Sequence, residues 1–247
     1  MFGFFKKKEV KKERTLDYGP IMVDMHSHVL PGIDDGAQTP EESIVLIKKM
    51  MELGIKKIIA TPHVMLDYYR NDATSINNAL AVLKEELKNQ NIDIPVEAAA
   101  EHYFDESFEK RIDDRSLMTM GEDKYVLFEL SFMNEPPNVI QMIQKMRDAG
   151  YKPILAHPER YPYMDIDRMR MIRSWGCNLQ INTISLLGYY GKPTKKMAED
   201  MVDNQMVDFI SSDMHHPRHA QAFEEVLTTP YLEKLLNEYP LKNKMLI

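Results

Sequence analysis

The chain has 247 residues, 44% of them hydrophobic, and a formal net charge of -7. That length and apolar content suffice for one sizeable α/β core, and the acidic balance argues against a general DNA- or RNA-binding role. The single cysteine, Cys177, excludes an internal disulfide and agrees with a reducing cytoplasm, while no apolar run approaches the ~20 residues that span a bilayer.

The chain opens with MFGFFKKKEVKKER, in which phenylalanines precede Lys6, Lys7, Lys8, Lys11, Lys12 and Arg14. A signal peptide carries its charges ahead of its apolar stretch, so the order is the wrong one. Residues 1–20 read as a solvated basic tail. The sharper alternative is weak contact of this tail with an anionic membrane surface or an acidic partner.

Residues 21–247 contain no low-complexity linker and read as one domain. Short runs rich in Ile, Val and Leu predict strands at Ile21–His28, Lys56–Thr61, Ile94–Ala100, Lys124–Leu130, Lys152–Ala156, Asn178–Asn182 and Val207–Ser211. Helical segments alternate with them. After the first strand, Thr39-Pro40-Glu41-Glu42 supplies an N-cap, a first-turn proline and acidic residues at the positive helix end. Ile44, Ile47, Met51 and Ile55 then share a face, and Gly54 closes the helix. Further helices are predicted at Thr74–Lys88, Pro136–Ala149, Ile166–Trp175 and Thr194–Asn204. Such alternation predicts a mainly parallel sheet, open or closed into a barrel.

Potential metal ligands recur where these strands end. The first strand ends at His26 and His28, which alternation puts on one face. The second runs into His63, the third into Glu101, the fifth into His157, and the seventh into Asp213 and His215; the fourth contains Glu129. Taken singly, each has a plainer reading as a surface or hydrogen-bonded residue. In a parallel barrel, however, all strand C-termini open on one rim. There Asp35, Glu101, Glu129 and Asp213 would repel one another without cations between them. Nitrogen and oxygen donors without cysteine suit Mn, Fe, Zn or related ions. Asp34 reads as a turn residue before Gly36, and Asp24 as a support for the ligands.

The segments DMHSHVLPGIDDG, ATPH (Ala60–His63), AEHYF (Ala100–Phe104), LFELSF (Leu127–Phe132), LAHPERY (Leu155–Tyr161) and SSDMHH (Ser211–His216) together resemble the polymerase-and-histidinol-phosphatase (PHP) superfamily. The closer resemblance is to its manganese-dependent bacterial protein-tyrosine phosphatases of the CpsB/CapC/YwqE type. It implies a distorted TIM-like (β/α)7 barrel with three divalent metals at the C-terminal rim, manganese foremost and iron or zinc as alternatives. By motif, His26, His28, Glu101 and Asp213 would hold one ion. Glu101 would bridge to a second, held also by Glu129 and His157, and Asp35, His63 and His215 would hold the third.

The implied reaction is metal-assisted hydrolysis of phosphotyrosine on a protein, with the tail of a cognate bacterial tyrosine kinase as natural substrate and control of capsular or exopolysaccharide synthesis as outcome. Arg160 is assigned to phosphate binding, with a surface ion pair to Glu159 or a neighbour as the plainer reading. Cys177 reads as a packing residue, and the general acid is left unassigned. His102 and His216 are expected beside the ligands and His219 on the surface. Tyr68, Tyr69 and Arg70 form either a substrate-gripping lid or an ordinary surface loop. Two other functions fit the residues: a small-molecule phosphatase such as histidinol-phosphate phosphatase, and a metal-stabilised binding module docking through the basic tail.

Overall fold

The computed structural model describes residues 16–247, so the expected tail lies outside the described residues except for its last five positions. Those positions already belong to the packed chain. Tyr18 is fully buried, stacks on Phe223 with ring centres 3.9 Å apart, and donates its hydroxyl to the Phe223 carbonyl at 2.9 Å.

The chain order is β1 (Val23–Asp24), α1 (Pro40–Glu52), β2 (Lys57–Ala60), β3 (His63–Val64), α2 (Ala73–Asn89), β4 (Val96–Ala98), β5 (Glu101–Tyr103), α3 (Phe108–Asp113), β6 (Tyr125–Glu129), α4 (Val139–Asp148), β7 (Lys152–Ala156), α5 (Ile166–Ser174), β8 (Asn178–Asn182), α6 (Lys192–Asp203), β9 (Phe209–Ser211), α7 (Pro217–Glu225) and α8 (Pro230–Glu238). All pairings between these strands are parallel, in the orders β1-β2-β4 and β3-β5-β6-β7-β8-β9. The second and third expected strands therefore continue past their predicted ends as β3 and β5. Pro62 separates β2 from β3 because it has no N–H to give the ladder. Ala99 N donates to Ala60 O at 2.8 Å and Glu101 N to Pro62 O at 3.1 Å, which carries the pairing across both gaps.

The last strand path returns to the first. Ser27 bridges Met214 in parallel, Asp213 N donates to His26 O, and His28 N donates to Met214 O, both at 2.9 Å. The result is the expected distorted β/α barrel, with short strands and breaks in place of an even cylinder.

Thr39 caps α1 as predicted, accepting from Glu42 N. Ile44, Leu46, Ile47 and Met50 are buried, whereas Met51, expected on the inner stripe, is only partly so. Gly54 sits at φ +103°, and a Cβ there would meet Gly19 N at 2.8 Å, so only glycine lets the helix end against the entering chain. The short α3 and the terminal pair α7 and α8 were not predicted. Along the strands, one face joins the helices in the main core, and the other forms a second apolar cluster including Val23, Ile59, Leu127, Ile154 and Phe209. Further along that inner face the residues turn polar: Glu129 follows Leu127, and Ser211 and Asp213 follow Phe209.

Candidate metal centre

His26 and His28 are both fully buried. His26 Nδ1 lies 3.2 Å from Gln180 Oε1 and His28 Nδ1 2.7 Å from Asp34 Oδ2. An amide oxygen and a carboxylate only accept, so each Nδ1 donates and each Nε2 is the nitrogen left to face a cation. These two Nε2 atoms face each other at 3.3 Å. Glu101 Oε2 stands 3.3 and 3.4 Å from them, and Asp213 Oδ1 3.3 and 3.5 Å. Donors that share one ion at about 2.0–2.2 Å lie about 3 to 3.5 Å from one another, the spacing found here.

The same spacing continues outward. His157 Nε2 lies 3.0 Å from Glu101 Oε1 and 3.6 Å from Glu129 Oε1. His63 Nδ1 lies 3.0 Å from Glu101 Oε2, and its Nε2 is 3.5 Å from Asp35 Oδ1, as is His215 Nε2. All expected ligand residues thus meet in one place. Their donor atoms cluster as His28/Asp35/His63/His215, His26/His157/Asp213, His26/His28/Glu101 and His63/Glu101/Glu129. His63 therefore faces both the inner carboxylates and the outer site, a wider reach than the motif-based grouping gives it.

The donor set fits divalent ions. Glu101 Oε2 is buried and, although His63 Nδ1 lies 3.0 Å away, makes no hydrogen bond of proper geometry, an expense that ligation of an ion would remove. Protein groups alone leave the charges at odds. Burial would lower His26, but Glu101 and Asp213 reverse this and push it up to about 9. Burial likewise opposes, and Glu101 overrides, a rise of His63 to about 10. Burial and then the charge of Glu101 push Glu129 up to about 8, while burial and then Arg160 bring His157 down to about 4. Neighbouring groups pulled in opposite directions are typical of a functional site.

A polar layer holds these side chains from beneath. Gln180 Oε1 accepts from His157 N at 3.2 Å as well as from His26, and Gln180 Nε2 donates to Asn182 Oδ1 at 2.9 Å and Ser211 Oγ at 2.7 Å. Asn182 in turn donates to Asp213 Oδ2 at 2.6 Å. Asp34, besides gripping His28, accepts from Gly36 N at 2.9 Å and His63 N at 3.1 Å. Asp24 accepts from Ser212 N at 2.7 Å and Ser212 Oγ at 3.0 Å, one residue before Asp213. His157 and Asp213 adopt positive φ, 32° and 50°. Such backbone is sparsely populated by non-glycine residues and persists where surroundings enforce it.

The centre opens into a cavity of about 400 Å³ lined also by Met65, Tyr69, Phe132, Arg160, Tyr190, His216 and His219. Arg160 reaches Asp213 Oδ2 at 3.2 Å. The plainer reading is met in part, since the ion pair is made with Asp213 and not with Glu159, which is buried and accepts from Asn182 N at 2.9 Å and Ser185 Oγ at 2.7 Å. Tyr69 stacks on His63 at 5.5 Å, whereas Tyr68 is 78% exposed and Arg70 bonds the carbonyl of Leu66. Only one residue of that trio therefore joins the site.

Two histidines depart from expectation. His102 alternates away from Glu101, accepts from Met118 N at 3.1 Å, and belongs to no donor group. His219, expected on the surface, is buried with Nδ1 2.9 Å from Asp213 O. Cys177 is buried and does not line the cavity; burial pushes its thiol up, away from the reactive thiolate. Gln180, Asn182, Phe132 and Tyr190 were missed by sequence reasoning. For the first pair a signal existed: polar residues two apart in NLQIN point to one strand face.

Parallel β/α units with nitrogen and oxygen donors gathered at their strand ends define a β/α-barrel protein with a candidate metal centre. Comparison narrows this: a family model described as capsular polysaccharide synthesis, CpsB/CapC, matches residues 22–239, and the chain belongs to that family. It is 30% identical over 197 residues to the tyrosine-protein phosphatase YwqE of Bacillus subtilis, covering 79% of this chain and 78% of the relative. A solved structure described under YwqE of Bacillus subtilis and CpsB of Streptococcus pneumoniae, unique metal-dependent tyrosine phosphatases, superposes with a TM-score of 0.77 at 28% identity. That match covers 89% of this chain and 96% of the other. A histidinol phosphate phosphatase of Lactococcus lactis, solved with zinc, L-histidinol and phosphate, shares the fold at a TM-score of 0.50 and 13% identity, covering 87% and 92%.

Proposed function

We propose that this chain is a metal-dependent tyrosine-protein phosphatase acting in capsular or exopolysaccharide synthesis. The observation that carries the reading is the meeting of His26, His28, Glu101 and Asp213 donors at ion-sharing distances in a chain of the CpsB/CapC family. Those four residues would hold one ion. Glu101, Glu129 and His157 would hold a second, and Asp35, His63 and His215 a third. Manganese is the first choice and iron or zinc the alternatives, because the donors are nitrogen and oxygen only. When bound, such ions neutralise phosphoryl oxygens and lower the pKa of water.

The chain's own groups complete the chemistry. Asp34 and Gln180 keep the protons of His28 and His26 on Nδ1, so both Nε2 atoms stay available. Arg160 offers N–H donors to a phosphoryl group entering the cavity. A tyrosine phenolate, with a pKa of about 10, leaves without a strong acid, and Cys177 takes no part. On this reading residues 21–247 form the catalytic unit. The substrate is a phosphotyrosine protein, in the finer reading the flexible tail of a cognate bacterial tyrosine kinase met in the cytoplasm. No helix among the described residues is long and apolar enough to cross a membrane.

The test compares turnover of a phosphotyrosine peptide and of histidinol phosphate, with manganese and with chelator, for the wild type and the His26→Ala/His28→Ala double variant. Peptide hydrolysis that requires metal and vanishes in the variant is expected. Turnover of histidinol phosphate alone would assign a small-molecule phosphatase, and activity persisting in chelator would overturn the metal role.

A further inference from the structure

At the cavity mouth Arg160 is held by more than its bond to Asp213. Its guanidinium carbon lies over the ring of Phe132 at 4.8 Å from the centroid and over that of Tyr190 at 4.3 Å. The two rings come from different loops, one after β6 and one after β8. Phe132 also stacks on His157 at 5.8 Å, and the Tyr190 hydroxyl approaches Asp213 Oδ2 at 3.4 Å. Phe132 is 37% exposed, a large ring kept at the surface beside the site.

A guanidinium uses its two parts differently. Its faces attract aromatic rings, and its edge carries the N–H donors. Rings that cover faces leave the edge for ligands and fix the plane in which a forked pair of hydrogen bonds can form. Among the described residues the guanidinium makes one hydrogen bond, from Nη1 to Asp213, so further donors remain for a ligand in the cavity. A long arginine chain at a cavity mouth would otherwise sample many rotamers, and each would have to be given up on binding.

We propose that Phe132 and Tyr190 are positioning residues that hold the Arg160 guanidinium edge toward the substrate's phosphoryl oxygens. This rests on the phosphatase reading above. The rings are proposed to act through Arg160; because Phe132 also stacks on His157 and the Tyr190 hydroxyl meets Asp213, bound manganese is measured beside the kinetics to separate the two routes.

The experiment measures kcat and KM on a phosphotyrosine peptide, together with bound manganese by elemental analysis. The variants are Phe132→Leu, Tyr190→Leu, Arg160→Ala and each leucine variant combined with Arg160→Ala. Each leucine change is expected to lower kcat/KM by roughly threefold to thirtyfold, with metal content at the wild-type level. In the Arg160→Ala background it should cost nothing further. Phe132→Tyr and Tyr190→Phe, which keep the rings, should recover most of the loss.

The proposal is overturned if the leucine losses add fully to that of Arg160→Ala, if they track lost manganese, or if no loss occurs. Each of these results leaves the phosphatase reading standing when the wild type is active on the peptide. A wild type inert on the peptide fails that reading and takes this inference with it.

Discussion

A methyl group at Gly36 would sit 2.0 Å from the carbonyl oxygen of His28 and 2.5 Å from its Cβ. No side chain fits there, because the carbonyl is held by Ala37 N at 3.0 Å and cannot yield. The close approach lets Asp34 close on His28 Nδ1 and hangs Asp35 over His63 and His215. Gly36→Ala should therefore displace both carboxylates, destabilise the fold by about 1–3 kcal/mol, and weaken metal binding at the outer group. Denaturant unfolding and metal titration check this; a variant with wild-type stability and metal affinity would show that the loop adapts. Most candidate ligands were legible because they lie at or just past a predicted strand end and carry donor chemistry, whereas Asp35, on the loop after the first strand, came with the motif. Their supports were less so. Asp34 reads as an ordinary turn residue until the fold brings His28 and His63 to it. Phe132 and Tyr190 meet Arg160 only through loops distant in sequence, a contact no local pattern encodes.

Among the elements, the parallel strands were readable from apolar runs, and the breaks between β2 and β3 and between β4 and β5 were not. Pro62 hinted at the first. The terminal region was least legible: α7 and α8 both come after β9 with no strand to succeed them, so alternation gives no cue. That region nevertheless closes the barrel. Asn243 is fully buried in the last turn, donates to Val23 O at 3.0 Å and Ile210 O at 2.8 Å, and accepts from Ile210 N at 3.2 Å. One amide thus stands in for a rung of ladder between β1 and β9, while Ser27 and Met214 supply the rung at the other end. Replacing Asn243 by alanine strands buried backbone groups that water cannot reach. The expected cost is about 2–4 kcal/mol, seen as a lower denaturant midpoint at unchanged slope. An unchanged midpoint would mean that the seam needs no such stitch.

For the whole molecule, the formal charge of -7 is spread over the chain, but the centre concentrates its own share of carboxylates: Glu101, Glu129 and Asp213 are all nearly fully buried. They come from three strand paths, those of β5, β6 and β9, and His26 and His28 add facing Nε2 atoms from the path of β1. Folding must bring these together against repulsion and desolvation. A cation bound in the folded state and not in the unfolded chain stabilises the fold by about 4 kcal/mol per site at a thousandfold excess over its Kd. For a domain of this size each kcal/mol moves the melting midpoint by about 2–4 °C. The wild type should therefore melt at least about 10 °C higher in excess manganese than in chelator, with a midpoint that climbs as manganese is titrated. His26→Ala/His28→Ala should lose much of that climb. Because those histidines sit where the first and last strand paths join, metal binding is expected to protect the β1–β9 seam from amide hydrogen exchange more than the outer helices. Equal melting with and without the ion would separate the barrel's stability from its metal centre.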